Sequence, residues 1–123
     1  MYNPTIMEHF MNPRNVGEIA DPDGVGIAGK PESGDMMKMY LRIRDGRIVE
    51  AKHETFGSGV AIAVSSRATE MIIGMPVEEA YALTREDLSA ALDGIPPEKM
   101  DCSNMAPDAI KAAIDDYRRR QQQ

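Results

Sequence analysis

Met37, Met39, Leu41 and Ile43 alternate with Lys38, Tyr40, Arg42 and Arg44, and Asp45-Gly46 then interrupts the pattern. A period of two is that of a strand with one face buried and one wet. Asp-Gly between two such runs marks a tight reversal, because both residues tolerate left-handed backbone. The chain is thereby committed to an antiparallel hairpin whose second strand runs from Arg47 to Phe56. Its register follows from which faces must match. A two-residue Asp45-Gly46 loop sets Leu41 level with Glu50. A three-residue loop, with Gly46 left-handed, pairs Leu41 with Val49, Met39 with Ala51 and Met37 with His53. A slip of one residue turns every side chain to the other face, so the three-residue loop is expected. His53 then lies on the core face as a hydrogen-bonded core histidine rather than a metal ligand, and His9 is expected at the surface.

Around the hairpin the punctuation is helical. Asn3-Pro4 supplies an N-cap and a proline at the first helical position, opening a short helix with Ile6, Phe10 and Met7 as its apolar stripe. Residues 17–34 hold several Gly and Pro residues and little periodicity, which predicts a long mobile loop, with a further strand near 25–28 as the weaker signal. After Gly57-Ser58-Gly59 a helix is predicted over 60–73, with Gly74 as its C-cap and Pro76 opening a short helix over 77–83. Thr84-Arg85-Glu86-Asp87 resembles a capping box before a helix to about Leu92, and residues 93–97 form a rigid connector. A final helix starts between Ser103 and Pro107 and runs to about Arg120, with Ala109, Ile110, Ala113, Ile114 and Tyr117 as its apolar stripe. The order helix, strands, helices predicts a single α+β domain over 1–123, with helices packed on one face of a small antiparallel sheet.

Composition excludes several classes. A net charge of -6 argues against nucleic acid as partner, since phosphate binding needs a basic face. Arg118-Arg119-Arg120 falls at the expected end of the last helix, where cations complement the helix dipole. No apolar run approaches the length of a membrane span, and Met1-Tyr2-Asn3-Pro4 has neither the basic nor the apolar character of a signal peptide. One cysteine, Cys102, cannot form an internal disulfide, which suits a reducing, cytoplasmic setting.

Three segments carry candidate chemistry. Antiparallel geometry returns the end of the second strand beside the start of the first, so Ser33 and Asp35 should neighbour Ser58. If the last helix packs there, Asp101-Cys102 completes a small polar patch. No nucleophile–base pair accompanies it, so an enzyme, such as a hydrolase using Asp35 and Asp101, is not expected.

Several motifs now stand in a telling order: Asn12-Pro13-Arg14-Asn15-Val16-Gly17, Gly34-Asp35 before Met-Lys, Ala61-Ile62-Ala63 before Ser65-Ser66, and Asp108-Ala109-Ile110-Lys111-Ala112-Ala113-Ile114. Over nearly its whole length the chain resembles the iron–sulfur cluster assembly scaffold family, the IscU and NifU N-terminal proteins. The resemblance implies an IscU/NifU-N-like fold and a [2Fe–2S] cluster as cargo. It also shows departures. The family's Pro-x-Cys-Gly-Asp has Ser33 at the cysteine, Tyr-Gly-Cys-Gly appears as Phe56-Gly57-Ser58-Gly59, and His-Cys-Ser appears as Asp101-Cys102-Ser103. Asp35, which in the family modulates cluster binding and release, is kept.

A bridged cluster wants four thiolate or imidazole ligands, and a serine hydroxyl, neutral at pH 7, replaces a thiolate poorly unless the metal deprotonates it. The set Asp35, Cys102 and Asp101, with Ser33 and Ser58 at ligand positions, is oxygen-rich. It suits a single iron or zinc ion, or a labile [2Fe–2S] cluster, held weakly. Two chains about a two-fold axis would pool two Cys102 thiolates. The resemblance further implies that Cys102 accepts sulfur from a cysteine desulfurase. A helix N-terminus would lower its pKa for that attack while Asp101 would raise it. An Hsp70-type chaperone segment, Leu-Pro-Pro-Val-Lys in the family, reads Ile95-Pro96-Pro97-Glu98-Lys99, where Glu98 puts a charge in place of an apolar contact and argues against that partner. Two functions follow: a scaffold with an altered metal site, or a degenerate scaffold that only docks to the assembly machinery.

Overall fold

The computed structural model describes residues 2–30, 32 and 34–123, and all side chains among these except those of Lys30, Asp101, Cys102 and Ser103. Three antiparallel strands, β1 (Gly24–Lys30), β2 (Asp35–Arg44) and β3 (Arg47–Phe56), form one sheet in the order β1-β2-β3. The described residues also form five helices: α1 (Pro4–Met11), α2 (Gly59–Ile72), α3 (Val77–Tyr81), α4 (Arg85–Ala91) and α5 (Met105–Gln121). A 3₁₀ turn, Pro97–Asn104, leads into α5. The α+β class is as expected.

The hairpin register differs from expectation. Arg44↔Arg47 and Ile43↔Ile48 close a two-residue turn, with Asp45 at φ 53° and Gly46 at φ 74°. A bulge between Arg42 and Ile43 then leaves Val49 unpaired, and the ladder continues as Arg42↔Glu50, Leu41↔Ala51, Met39↔His53 and Met37↔Thr55. The apolar faces had to match, and one extra residue achieves that as well as a longer loop does. His53 still faces the core.

Residues 24–30 are strand β1 and not part of a long loop. Glycine hid the alternation. A Cβ on Gly26 would collide with the backbone of α5 at Ala109 and Ala113, so close helix–strand packing demands the residue that makes the segment read as a loop. The α5 helix lies across β1 and β2, and α2 across β3. Between them Met37, Met39, Leu41, Ile48 and Ala51 meet Val60, Val64, Ala68, Ile110 and Ile114, all with no exposed surface.

The sheet's other face is partly covered too. Residues 17–23 strap across it: the Arg42 guanidinium donates to the Ala20 and Asp21 carbonyls at 2.5 and 3.4 Å. The Asp23 carboxylate accepts from the Ile43 N–H at 2.8 Å. Ile19 and Tyr40 are accordingly buried.

Asn3 caps α1 as expected, accepting from the Ile6 N–H at 2.9 Å, and its amide also donates to the Leu92 carbonyl at 2.9 Å. The stripe on α1 is narrower than expected: Ile6 and His9 are buried, while Met7 and Phe10 are exposed. The α2 helix ends at Ile72 with Ile73 rather than Gly74 as its C-cap, and Gly74 follows one residue beyond the cap at φ 97°. Thr84 and Asp87 form the reciprocal capping box. At the C-terminus Arg119 and Arg120 pair with Asp116, and Arg118 lies 4.9 Å from the centre of the Tyr81 ring. Among the described residues no helix is long and apolar enough to cross a membrane.

Candidate functional site

Pairing of Met36 with Phe56 sets the first residue of β2 beside the turn that follows β3. Asp35 and Ser58 are therefore neighbours, as the antiparallel return requires. The Ser58 N–H donates to Asp35 Oδ1 at 3.1 Å. Gly57, at φ 143°, makes this approach possible, because a Cβ there would overlap the Asp35 carboxylate. Ser58 is also the N-cap of α2. Its backbone is extended, at φ -68° and ψ 165°, and its Oγ accepts from the Ala61 N–H at 3.3 Å. A cap satisfies one of the first-turn N–H groups that lack a helical partner.

Of the other candidates, Ser33 lies outside the described residues. Asp101 and Cys102 belong by backbone to the 3₁₀ turn Pro97–Asn104, which packs against α2, α4 and α5, and their side chains lie outside those described. Among the described residues no three His, Cys, Asp or Glu side chains come together as a metal cluster.

Behind the site lies a buried polar layer that sequence reasoning missed. His9 is not at the surface: its Nδ1 lies 2.7 Å from Ser66 Oγ, which also accepts the Arg14 N–H at 2.9 Å. Burial lowers the His9 pKa below its ordinary value, against an upward pull from Glu70, whose carboxylate is 3.4 Å from Nε2. The Asn15 amide donates to Thr69 Oγ1 at 3.0 Å. On the strand side, the His53 N–H donates to the Asn15 carbonyl and the Gly17 N–H to the His53 carbonyl, both at 2.9 Å. Burial also lowers the His53 pKa, offset in part by its bond to the Arg14 carbonyl. The motif from Asn12 to Gly17 is thus clamped between β3 and α2. The signal was present: Ser66 and Thr69, and Ser65 and Thr69, stand three and four residues apart, which puts small polar residues on one side of α2.

The sequence matches the NifU-like N terminal domain model over residues 1–123. The chain belongs to the NifU-like N-terminal domain family. It is 51% identical over 120 residues to the iron-sulfur cluster assembly scaffold protein IscU 1 of Archaeoglobus fulgidus, covering 98% of this chain and 78% of that one. It is 45% identical over 126 residues to the iron-sulfur cluster assembly enzyme IscU of Drosophila melanogaster, covering 99% and 81%. The crystal structure of a NifU-like protein N-terminal region from Brucella abortus superposes with a TM-score of 0.75 at 23% identity, covering 95% of this chain and 94% of that one. The last likeness supports the fold, and the family supplies the frame in which the site is read.

Proposed function

We propose that this chain is an iron–sulfur cluster assembly scaffold with an altered site, which takes up iron or another metal, or accepts sulfur, at Cys102 and Asp35. The observation that carries the reading is the double engagement of Ser58. Its N–H bonds Asp35 Oδ1 and its Oγ caps α2. The loop keeps a carboxylate at the site while its hydroxyl serves the helix. Drawing Oγ onto a metal would uncap α2, at a cost of about 1 kcal/mol, and would require its deprotonation. The strong donors that remain are the Asp35 carboxylate and the Cys102 thiolate, a pair that favours a single borderline ion such as iron(II) or zinc over a permanently held bridged cluster.

In this reading the metal or cluster is cargo, the chain carries rather than catalyses, and the sulfur donor is a cysteine desulfurase in the cytoplasm. The Ser58 cap also favours a second reading, in which the site has become purely structural and the protein docks to the assembly machinery without cargo. Anaerobic loading with iron(II), with and without sulfide, decides between them. The first reading expects roughly one metal per chain, falling on Asp35→Ala and on Cys102→Ala. Neither metal nor persulfide uptake, with tight desulfurase binding retained, would establish the second.

A further inference from the structure

Four contacts run in line through the polar layer behind the site. His53 Nε2 lies 3.0 Å from the Arg14 carbonyl oxygen, and His53 Nδ1 lies 2.9 Å from Thr55 Oγ1. Thr55 Oγ1 lies 2.7 Å from Ser65 Oγ, and Ser65 Oγ lies 2.8 Å from the Ala61 carbonyl oxygen. Both ends of this chain are carbonyls, which only accept. Each contact needs one hydrogen. A neutral imidazole brings one, Thr55 one and Ser65 one. Three hydrogens therefore serve four contacts.

We propose that this chain is a proton-counted latch between the Arg14–Gly17 segment and the first turns of α2: with neutral His53 one contact is always empty, and uptake of one proton by His53 fills all four. In the neutral form the vacancy is best placed between Ser65 Oγ and the Ala61 carbonyl, because that carbonyl already accepts a helical N–H and loses least. Nε2–H then donates to Arg14, Thr55 donates to Nδ1, and Ser65 donates to Thr55. In the charged form Nδ1–H donates to Thr55, Thr55 to Ser65, and Ser65 to Ala61, so both ends are bonded at once. The hydrogen comes from solvent and no covalent bond other than N–H is formed.

The surroundings make the imidazole the group that decides. His53 is 1% exposed. From the 14–17 segment the nearest charge is Arg14, whose guanidinium turns away to Glu8 and Glu70, at 2.9 and 3.7 Å. From α1, His9 is engaged by Ser66 and Glu70. From α2, Arg67 and Glu70 pair with each other at 3.4 Å. On β2 the residue paired with His53 is Met39, and on β3 the flanking Lys52 and Glu54 point to the opposite face. Among the described residues no carboxylate stabilises the imidazolium, and burial holds its pKa below the ordinary value. The fourth contact is therefore filled only below the ordinary histidine range, and the gain of that bond is what opposes the cost of burying the charge.

The test is the His53 titration followed by imidazole nitrogen and carbon shifts in the intact protein and in Ser65→Ala. Removing Ser65 leaves two contacts and two hydrogens, so the neutral form is complete and the charged form strands the Thr55 hydrogen. The His53 midpoint should fall by about half a unit to one unit, the equivalent of roughly one hydrogen bond. Thr55→Val, which cuts the chain next to the ring, should also lower it. A neutral Nε2–H form in the parent protein and a drop in both variants support the latch. An unchanged or raised midpoint in Ser65→Ala, or a neutral Nδ1–H form in the parent, would overturn it.

Discussion

Replacing Ser58 by alanine isolates what the hydroxyl does, because the backbone N–H that bonds Asp35 stays in place. The Oγ to Ala61 N distance is 3.3 Å, at the long end for such a bond. The loss should therefore fall in the lower half of the range for an N-cap, about 0.5–1 kcal/mol. No acidic residue in the first turn of α2 is placed to take over. For a domain of this size that corresponds to a Tm lower by about 2–5 °C. Ser58→Gly is the sharper comparison. Glycine is a tolerable N-cap and alanine a poor one, so the glycine variant should lose only a few tenths of a kcal/mol. The chain has no tryptophan, so urea unfolding should be followed by circular dichroism at the helix band. A Ser58→Ala protein as stable as the parent, or a glycine variant less stable than the alanine one, would refute the capping role and with it the reading of the site as having given its hydroxyl to the helix.

Three further outcomes are expected. Gly57→Ala forces a side chain into positive φ and against the Asp35 carboxylate, so it should cost about 1–3 kcal/mol and weaken iron uptake in a metal-binding assay. Burial tends to raise the pKa of Asp116, but the Val25 N–H and the Arg120 and Arg119 charges outweigh it and hold the group below the ordinary carboxylate value. Its contribution is thus present above that value and lost as pH falls through the lowered one, so in urea titrations the stability gap between the parent and Asp116→Asn should close on acidification below about pH 4. His53, a base with a lowered pKa, has the matching acid-side sign. The unfolded chain takes up the proton first, so stability is complete above about pH 6.5 and falls as pH drops through it. His53→Phe should flatten that slope, and an unchanged slope would mean that the imidazole is not buried neutral.

The approach of Asp35 to Ser58 was legible in the sequence because it rests on short-range rules. The hairpin makes Asp35 and Ser58 neighbours, and the glycine before Ser58 announces a constrained turn. The identity of the donors, one thiol among oxygens, is composition alone. The engagement of Ser58 was not legible as a cap, since the same serine reads equally well as a weak ligand until its hydroxyl is seen on the Ala61 N–H. His9 shows the same limit. Its position on α1 reads as surface, and only Ser66, fifty-seven residues away, gives it a buried partner.

What the sequence determined by itself were those features set within a few residues: the alternation of β2, the Asp45-Gly46 reversal, the caps Asn3 and Thr84, and the apolar stripe of α5. What only the tertiary structure decided were features set by distant backbone. The bulge at Val49 arose because two apolar faces had to coincide. The strand β1 was concealed because α5 lies so close that Gly26 can carry no side chain. The clamp on residues 14–17 exists because α2 turns Ser66 and Thr69 toward that segment while the backbone of β3 bonds it from the other side. Local propensity fixes dihedral angles and spacing, but burial and hydrogen-bond satisfaction are properties of neighbours that the chain brings together only on folding.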